Sequence, residues 1–203
     1  MTTFRGFHGT LASRVDSIRS SGIYPSDNPD DWLGEGTYFF IEGLDDPKSS
    51  AAQWARCKAW DKHDQEFDES AVAVVEVAIE VDAAGVFDLR EPSNAQHFHR
   101  VRRRWLKALV PRRSTHLPRP EKDRFDTDLL DQFKQENAIT VLIGDFHIQF
   151  SLRERHFRLD SRIPNVTVLC LSNGATGATG ATTEIVDVTV GPVVSFLEAE
   201  EPQ

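Results

Sequence analysis

Two stretches decide the fold: F-R-G-F-H-G-T at residues 4–10 and D-W-L-G-E-G-T-Y-F-F at residues 31–40. In the first, apolar residues surround the polar tip His8-Gly9-Thr10, which predicts a short strand that passes into a helix over residues 12–21. In the second, Gly34 and Gly36 open a turn that feeds an apolar strand.

The glycines in both stretches predict a crevice between the two strands. Glycine is favoured where a backbone takes positive φ or comes close to a bulky group. We therefore expect the strand ends at Gly9 and Gly36 to expose backbone to a ligand, with His8 and Tyr38 facing it. Taken alone, each of these residues is more often structural than functional, because short motifs match by chance.

Outward from these stretches, the chain has the composition of an ordinary globular protein. Of its 203 residues, 39% are hydrophobic and 27% are charged, which suits one domain with a single core. We predict one domain over residues 1–197 and an acidic tail over residues 198–203. The chain has no apolar run long enough to span a membrane, and its start lacks the pattern of a signal peptide, which favours a cytoplasmic location.

The two cysteines predict neither a disulfide nor a metal site. Cys57 falls in a predicted helix and Cys170 in a predicted strand, and both are expected to be reduced and buried. No histidine and cysteine spacing in the chain suits a metal ion.

The net charge of −9 argues against indiscriminate binding of nucleic acid, but one segment is strongly basic. Residues 97–116 read H-F-H-R-V-R-R-R-W-L-K-A-L-V-P-R-R-S-T-H and include Arg102, Arg103 and Arg104. Such a run is usually a solvated helix face. It is also a candidate site for the phosphates of RNA or DNA, with the tryptophan and histidines of the run available to stack on bases.

Hydrophobic periodicity predicts further helices and strands along an α+β chain. Further helices are expected from Asp45 to Trp60, over 93–110 and over 121–137. Further strands are expected over 71–81, 139–143, 146–153, 166–171 and 184–190. The Gly-Ala-Thr repeat between the last two strands is expected to be a flexible loop that joins adjacent strands.

The motifs taken together resemble those of a known family. H-G-T at a strand end, then W-L-G-x-G-x-Y-F-F, then a helix with A-A-Q-W-A is similar to the ADP-ribosyltransferase superfamily, in its diphtheria-toxin and PARP-like branch, and most resembles small bacterial members. The resemblance covers residues 4–56, extends to the strand at 72–81 and fades beyond it. It implies an α+β fold with a split mixed β-sheet flanked by helices.

The resemblance also implies a substrate and a set of contacts. NAD would be the substrate and would lie in the crevice between the two strands. His8 would hydrogen-bond a ribose hydroxyl and the amide end, Gly9 would offer its backbone to the carboxamide, and Tyr38 would stack on the nicotinamide ring, backed by a neighbouring phenylalanine. The implied contact residues are His8, Gly9, Thr10, Gly36, Tyr38 and Phe39.

A third catalytic residue is implied at the start of a late strand, where relatives carry Glu, Gln or another residue. The residue expected there is Asn165, with Thr167 next, at the start of the strand at 166–171; Gln149 is the alternative if residues 147–149 are the matching segment, and Glu154 is the nearby carboxylate. A carboxylate can act as a base, whereas an amide can only orient a substrate. Without a carboxylate, transfer of a single ADP-ribose unit is favoured over chain elongation.

These expectations combine into one function and two alternatives. The resemblance implies an NAD-dependent mono-ADP-ribosyltransferase that needs no metal and modifies a macromolecule, with RNA or DNA placed ahead of protein because of the basic segment. The small size suggests a toxin or an antiviral or toxin–antitoxin effector, which a neutralising protein would control. The alternatives are an RNA 2′-phosphotransferase-like enzyme and a non-catalytic NAD-fold module that binds nucleic acid.

Overall fold

The structure, a computed structural model, describes residues 1–26, 31–61, 66–109, 124–151, 154, 157, 161–172 and 181–191. Its α-helices are α1 (Val15–Ser21), α2 (Pro47–Lys58), α3 (Pro92–Leu109) and α4 (Arg124–Glu136). Its strands are β1 (Thr2–Leu11), β2 (Gly36–Ile41), β3 (Trp60–Asp61), β4 (Glu66–Phe67), β5 (Val72–Val81), β6 (Val86–Asp88), β7 (Val141–Phe146), β8 (Val166–Ser172) and β9 (Ala181–Val190). Short 3-10 helices cover Ala12–Arg14, Glu69–Ala71 and Ala83–Gly85.

A seven-stranded mixed sheet organises the described residues. Its strand order is β6-β7-β8-β2-β1-β5-β9, and a separate two-stranded sheet pairs β3 with β4. Within the large sheet, β6 and β7 are parallel and the other neighbours are antiparallel. The protein is therefore mixed α+β, and strands from both ends of the described chain enter one sheet.

The pairing of β1 with β2 is much shorter than the pairings beside it. It consists of Gly6 opposite Ile41 and Phe7 opposite Phe40. By contrast, β1 pairs with β5 along its whole length from Thr2 to Leu11. We call this short pairing, with the diverging strand ends beyond it, the seam of the sheet.

The two faces of the sheet are covered by different helices. The first face carries Phe7 and Phe40 and packs against residues of α2, α3 and α4. The second face carries Phe39 and Val75 and packs against Ile18 of α1. Alternation along each strand sends neighbouring side chains to opposite faces, which is why Phe39 and Phe40 lie in different clusters.

Local sequence explains where several elements begin and end. Asp46 caps α2, because its carboxylate accepts a hydrogen bond from the Ser49 amide at 2.7 Å, and Pro47 occupies the first turn. Gly22 ends α1 with a positive φ of 78°. β5 is buried over most of its length, because Val74 packs in the core on one face and Val75 in the core on the other, and only Glu80 is exposed.

Several sequence expectations are confirmed. The strand at 71–81, the basic helix at 93–110 and the helix at 121–137 correspond to β5, α3 and α4. Cys170 is buried as expected, whereas Cys57, which was also expected to be buried, is only partly so.

Other expectations are wrong. Residues 147–150 are not a strand, because the side chain of Asn165 bonds both the amide and the carbonyl of Ile148 and replaces a strand partner there. Trp60 lies outside α2 and pairs with Phe67 in the small sheet. β8 and β9 are not adjacent, because β2, β1 and β5 lie between them.

Three of the expectations fall on residues that the structure does not describe. Residues 173–180 of the Gly-Ala-Thr segment at 172–183, the arginines at 112 and 113 and the acidic tail at 198–203 lie outside the described residues, whereas residues 181–183 of that segment belong to β9 and not to a loop. In the part of the chain that is described, no helix combines the length and the apolar character that crossing a membrane requires.

Gly9 provides a test of how the sheet holds α2. A Cβ atom at Gly9 would lie 2.0 Å from the carbonyl oxygen of Ala51, which is backbone and cannot move aside cheaply. We expect Gly9→Ala to lower the free energy of unfolding by about 3 kcal/mol, as overpacking of a close helix–strand contact does. Urea denaturation measures the change.

Gly22→Ala is the control for Gly9→Ala. A Cβ at Gly22 meets nothing within 4 Å, so only the positive φ opposes the substitution. We expect a cost of about 1 to 2 kcal/mol there, because Gly22 combines φ 78° with ψ 180°, a conformation that residues other than glycine rarely adopt. An equal or smaller loss at Gly9 would contradict the close approach of α2.

Candidate functional site

His8 lies at the point where the seam opens. Its Nδ1 atom is 2.9 Å from the main-chain oxygen of Tyr38. Because a carbonyl oxygen can only accept, Nδ1 carries the hydrogen, and in the neutral ring Nε2 is then an acceptor. Nε2 makes no hydrogen bond to a described residue. The site therefore presents an acceptor nitrogen where β1 and β2 diverge.

The imidazole of His8 is held in its neutral form. Its pKa is lowered from 6.5 to about 4, chiefly by burial and to a lesser degree by the positive charges of Lys58 and Arg14, whereas the bond to Tyr38 opposes the shift. At neutral pH, Nε2 is therefore available to accept a hydrogen bond.

The phenol of Tyr38 holds the glycine turn in place. Its hydroxyl donates to the carbonyl of Gly34 at 2.6 Å and accepts from the amide of Leu33 at 2.8 Å. Burial raises the pKa of Tyr38, so the hydroxyl stays protonated. Tyr38 is thus a structural residue of the turn as well as a candidate contact residue.

His8 and Tyr38 do not face one side of the sheet. The His8 ring contacts Phe39 on the second face at 6.1 Å between ring centroids, whereas Tyr38 packs on the first face. The expectation that both rings face a common crevice is therefore wrong as stated. The two residues instead flank the open end of the seam, where one side chain meets the main chain of the other.

Four aromatic rings form a cluster on the first face beside the seam. Trp32 lies at its centre, with ring centroids 6.4 Å from Tyr38, 5.7 Å from Trp54 and 5.9 Å from Phe146. The pair with Phe146 is stacked and the other two are edge-on. All four residues are partly buried, so the cluster borders solvent and offers aromatic surface to a flat ring. We call these residues the aromatic cluster.

Lys58 connects the aromatic cluster with His8. Its ammonium lies 5.1 Å from the ring centroid of Trp54, and its charge also lowers the pKa of His8. Arg14 acts on His8 in the same sense and also lowers the pKa of Lys58, behind the larger effect of burial. Two cations therefore lie close to the seam, where they would favour an anionic ligand.

A pair of residues on α4 fixes the Gly34-Glu35 turn from behind. The ammonium of Lys134, which is 5% exposed, donates to the carbonyl of Glu35 at 2.6 Å and pairs with Asp131 at 2.8 Å. Asp131 in turn accepts from the amide of Glu35 at 2.8 Å. This pair is not among the residues predicted from the sequence, although a lysine on the apolar stripe that contains Leu130 and Phe133 is a signal for it.

The remaining contact residues implied by the sequence have clear packing roles. Gly9 admits α2, and Gly36 admits the backbone of Leu171 on β8. Thr10 and Phe39 are buried, with Phe39 1% exposed in the second-face core. Phe39 supports His8 from behind and has no surface for a ligand.

The candidates for a third catalytic residue are mostly engaged. Asn165 accepts from the Ile148 amide at 2.8 Å and donates to the Ile148 carbonyl at 3.0 Å, so its carboxamide is fixed as a strand substitute. Glu154 accepts from the amide and the hydroxyl of Ser151. Thr167 donates to Asp145 at 2.7 Å. Gln149 is partly buried and also has an interaction partner.

The three arginines of the basic helix do not share one environment. Arg103 and Arg104 are exposed, whereas Arg102 is half-buried and is not free of other interactions. His97 packs against Phe133 at 5.8 Å and is therefore not placed to stack on a base. In the described parts of the chain, no group of three His, Cys, Asp or Glu residues lies close enough to hold a metal ion.

Comparison of the chain with protein-family models, with curated proteins and with solved structures finds no match.

The lowered pKa of His8 predicts a pH-dependent loss of stability. Between the ordinary pKa of 6.5 and the folded value of about 4, the unfolded chain binds the proton that the folded protein refuses. His8 should therefore remove about 3 kcal/mol from the free energy of unfolding as the pH falls through this window.

His8→Asn isolates this contribution, because asparagine keeps a donor near the Tyr38 carbonyl and does not titrate in this range. Urea denaturation at neutral pH and near pH 4 should show a smaller acid loss in the variant than in the natural protein. Equal losses in both proteins would mean that the imidazole is not held neutral.

Lys134→Met tests the support of the turn. The variant keeps the aliphatic volume and removes the bonds to Glu35 and Asp131, so we expect a loss of about 2 kcal/mol in the free energy of unfolding. Lys107→Met, at an exposed lysine of α3, serves as the control and should change stability by less than about 0.5 kcal/mol. Equal losses in the free energy of unfolding for the two variants would show that Lys134 does not stabilise the Gly34-Glu35 turn.

Proposed function

We propose that the protein is an NAD-dependent mono-ADP-ribosyltransferase that modifies a macromolecule. The observation that carries the proposal is the neutral imidazole of His8 at the open end of the seam, with two cations near it and the aromatic cluster flanking the same opening on the other face of the sheet. The resemblance of both glycine motifs to the ADP-ribosyltransferase superfamily points to the same chemistry.

NAD has three parts that match these features. Its flat rings suit the partly exposed aromatic surface of Trp32, Tyr38 and Trp54. Its pyrophosphate is anionic and suits Arg14 and Lys58. Its ribose hydroxyls are donors and suit an acceptor nitrogen that is neutral at physiological pH.

The proposed reaction breaks the bond between the ribose C1′ atom and the nicotinamide nitrogen. The bonding pair leaves with nicotinamide, positive charge develops on the sugar, and a nucleophile of the acceptor then bonds to C1′ and loses its proton to solvent. The protein contributes by binding and orienting the sugar through His8 and by excluding water with the aromatic cluster. Single-unit transfer is favoured, because the candidates for the third residue are Asn165 and Gln149, and an amide cannot act as a base.

His8→Asn tests the catalytic role of Nε2. The variant keeps a hydrogen-bond donor toward Tyr38 and removes the acceptor, so we expect nicotinamide release from NAD to fall by about 100-fold. His99→Asn, at an exposed histidine of α3, is the matched control and should keep full activity. Unchanged nicotinamide release in His8→Asn would remove the assignment.

Trp32→Phe tests the binding of NAD apart from catalysis. Stacking of nicotinamide or adenine on the aromatic cluster should quench tryptophan fluorescence during an NAD titration, and most of the quenching should disappear in Trp32→Phe. Trp105→Phe, on α3, should retain it. Quenching that depends equally on both tryptophans, or no quenching at all, would place NAD elsewhere or exclude it.

The products separate the proposed function from its alternatives. Nicotinamide release with an ADP-ribose mass added to RNA, DNA or protein supports the transferase. Removal of a 2′-phosphate from RNA in the presence of NAD would instead identify a 2′-phosphotransferase. Binding of NAD with no cleavage would identify a non-catalytic module. A toxin or defence role and a neutralising partner follow as proposals from the transferase reading.

A further inference from the structure

The surface of α3 carries positive charges that form no ion pair with a carboxylate of the described residues. α3 contains four arginines and a lysine and no carboxylate, within a chain of net charge −9. Arg100, Arg103, Arg104 and Lys107 are all exposed. Among the described residues, none of these four side chains pairs with a carboxylate. We call these four residues the cationic face.

The helical period gathers these residues into one stripe. Positions 100, 103, 104 and 107 follow the i, i+3, i+4, i+7 spacing of a single helix face. From the rise of 1.5 Å per residue, the stripe extends about 10 Å along the helix axis. The opposite side of α3 packs inward, with Phe98 5.3 Å from Phe133 between ring centroids. The apolar side of the helix is therefore used by the fold and is not left to insert into a lipid surface.

We propose that the cationic face binds the phosphodiester backbone of a nucleic acid without reading its sequence. Unpaired like charges in a row repel one another and gain most from a ligand with regularly spaced anions. Three of the four residues are arginines, whose planar guanidinium groups bind phosphate oxygens in a bidentate manner. The four residues of the stripe are all cations; Trp105 is half-buried, and the exposed His99 lies outside the i, i+3, i+4, i+7 set. Contacts to phosphate rather than to bases follow from that composition.

The location of the cationic face links it to the proposed function. α3 and the aromatic cluster pack on the same face of the sheet. A polynucleotide bound along α3 therefore lies on the side of the molecule where Trp32 and Tyr38 border the seam. If the proposed function is correct, this arrangement favours nucleic acid over protein as the acceptor of ADP-ribose. The choice of acceptor rests on the proposed function, whereas the binding of nucleic acid does not.

The test is a fluorescence anisotropy titration of the full chain with a labelled mixed-sequence oligonucleotide of about 20 nucleotides, single-stranded in one arm and duplex in the other. NAD is omitted. We expect binding whose affinity falls with salt, with a log–log slope of about −3 for the single strand if all four cations contact phosphates. The arm with the higher affinity identifies the preferred form. No binding in either arm at low salt overturns the proposal.

Two variants of equal charge locate the contact. The double variant Arg100→Gln, Arg104→Gln should bind the oligonucleotide more weakly. The slope of log affinity against log salt concentration should become less negative by about 1.4 for the single strand, since two phosphate contacts are lost. Arg19→Gln with Arg162→Gln removes the same charge at exposed arginines elsewhere and should leave both quantities unchanged. Equal weakening by the two pairs would assign the binding to net charge and overturn the proposal.

A competitor distinguishes nucleic acid from an acidic protein partner. Polyglutamate of matched charge should displace the oligonucleotide poorly, and displacement at equal concentration would overturn the proposal in favour of an acidic protein. His8→Asn should bind the oligonucleotide as the natural protein does. If the natural protein releases nicotinamide from NAD but does not bind the oligonucleotide, only this inference fails. If it binds the oligonucleotide but releases no nicotinamide, only the proposed function fails.

Discussion

The contact between the His8 imidazole and the main-chain oxygen of Tyr38 is the constraint on which the rest of the site depends. β1 and β2 pair at only two positions, Gly6 with Ile41 and Phe7 with Phe40. Two residues before Phe40 in the chain, the carbonyl of Tyr38 accepts a hydrogen bond from the His8 side chain. The imidazole thus bonds the Tyr38 carbonyl where the pairing has ended, and this bond fixes the tautomer that leaves Nε2 as the acceptor. A single hydrogen bond determines what the opening presents.

The glycine motifs serve the fold before they serve any ligand. Gly9 is required because a Cβ there would lie 2.0 Å from the Ala51 carbonyl oxygen of α2. Gly36 is required because a Cβ there would lie 2.4 Å from the Leu171 carbonyl oxygen of β8. Gly34 has a positive φ of 78°, and its turn is bonded by Tyr38 in front and supported by Lys134 and Asp131 behind. A rigid turn is what a site on this strand end needs, since the position of Trp32 and Tyr38 depends on it.

Two groups of positive charges lie among the described residues, one near the seam and one along α3. Near the seam, burial lowers the pKa of His8 and keeps it neutral, and the positive charges of Lys58 and Arg14 act in the same direction. On α3, Arg100, Arg103, Arg104 and Lys107 are exposed and pair with no carboxylate of the described residues, within an acidic chain. Screening confines the influence of distant carboxylates to about 8 Å at physiological salt, so a local cationic stripe remains attractive to polyanions despite the negative total.

The sequence alone determined the features that depend on neighbours along the chain. The period of apolar residues located β5, α3 and α4, and the glycines located the two strand ends, because these signals arise from local geometry. Only the tertiary structure decided that His8 and Tyr38 leave opposite faces, that Asn165 replaces a strand partner, and that β9 lies far from β8. Those features depend on which strands meet across the sheet, and hydrophobic period carries no information about distant pairing.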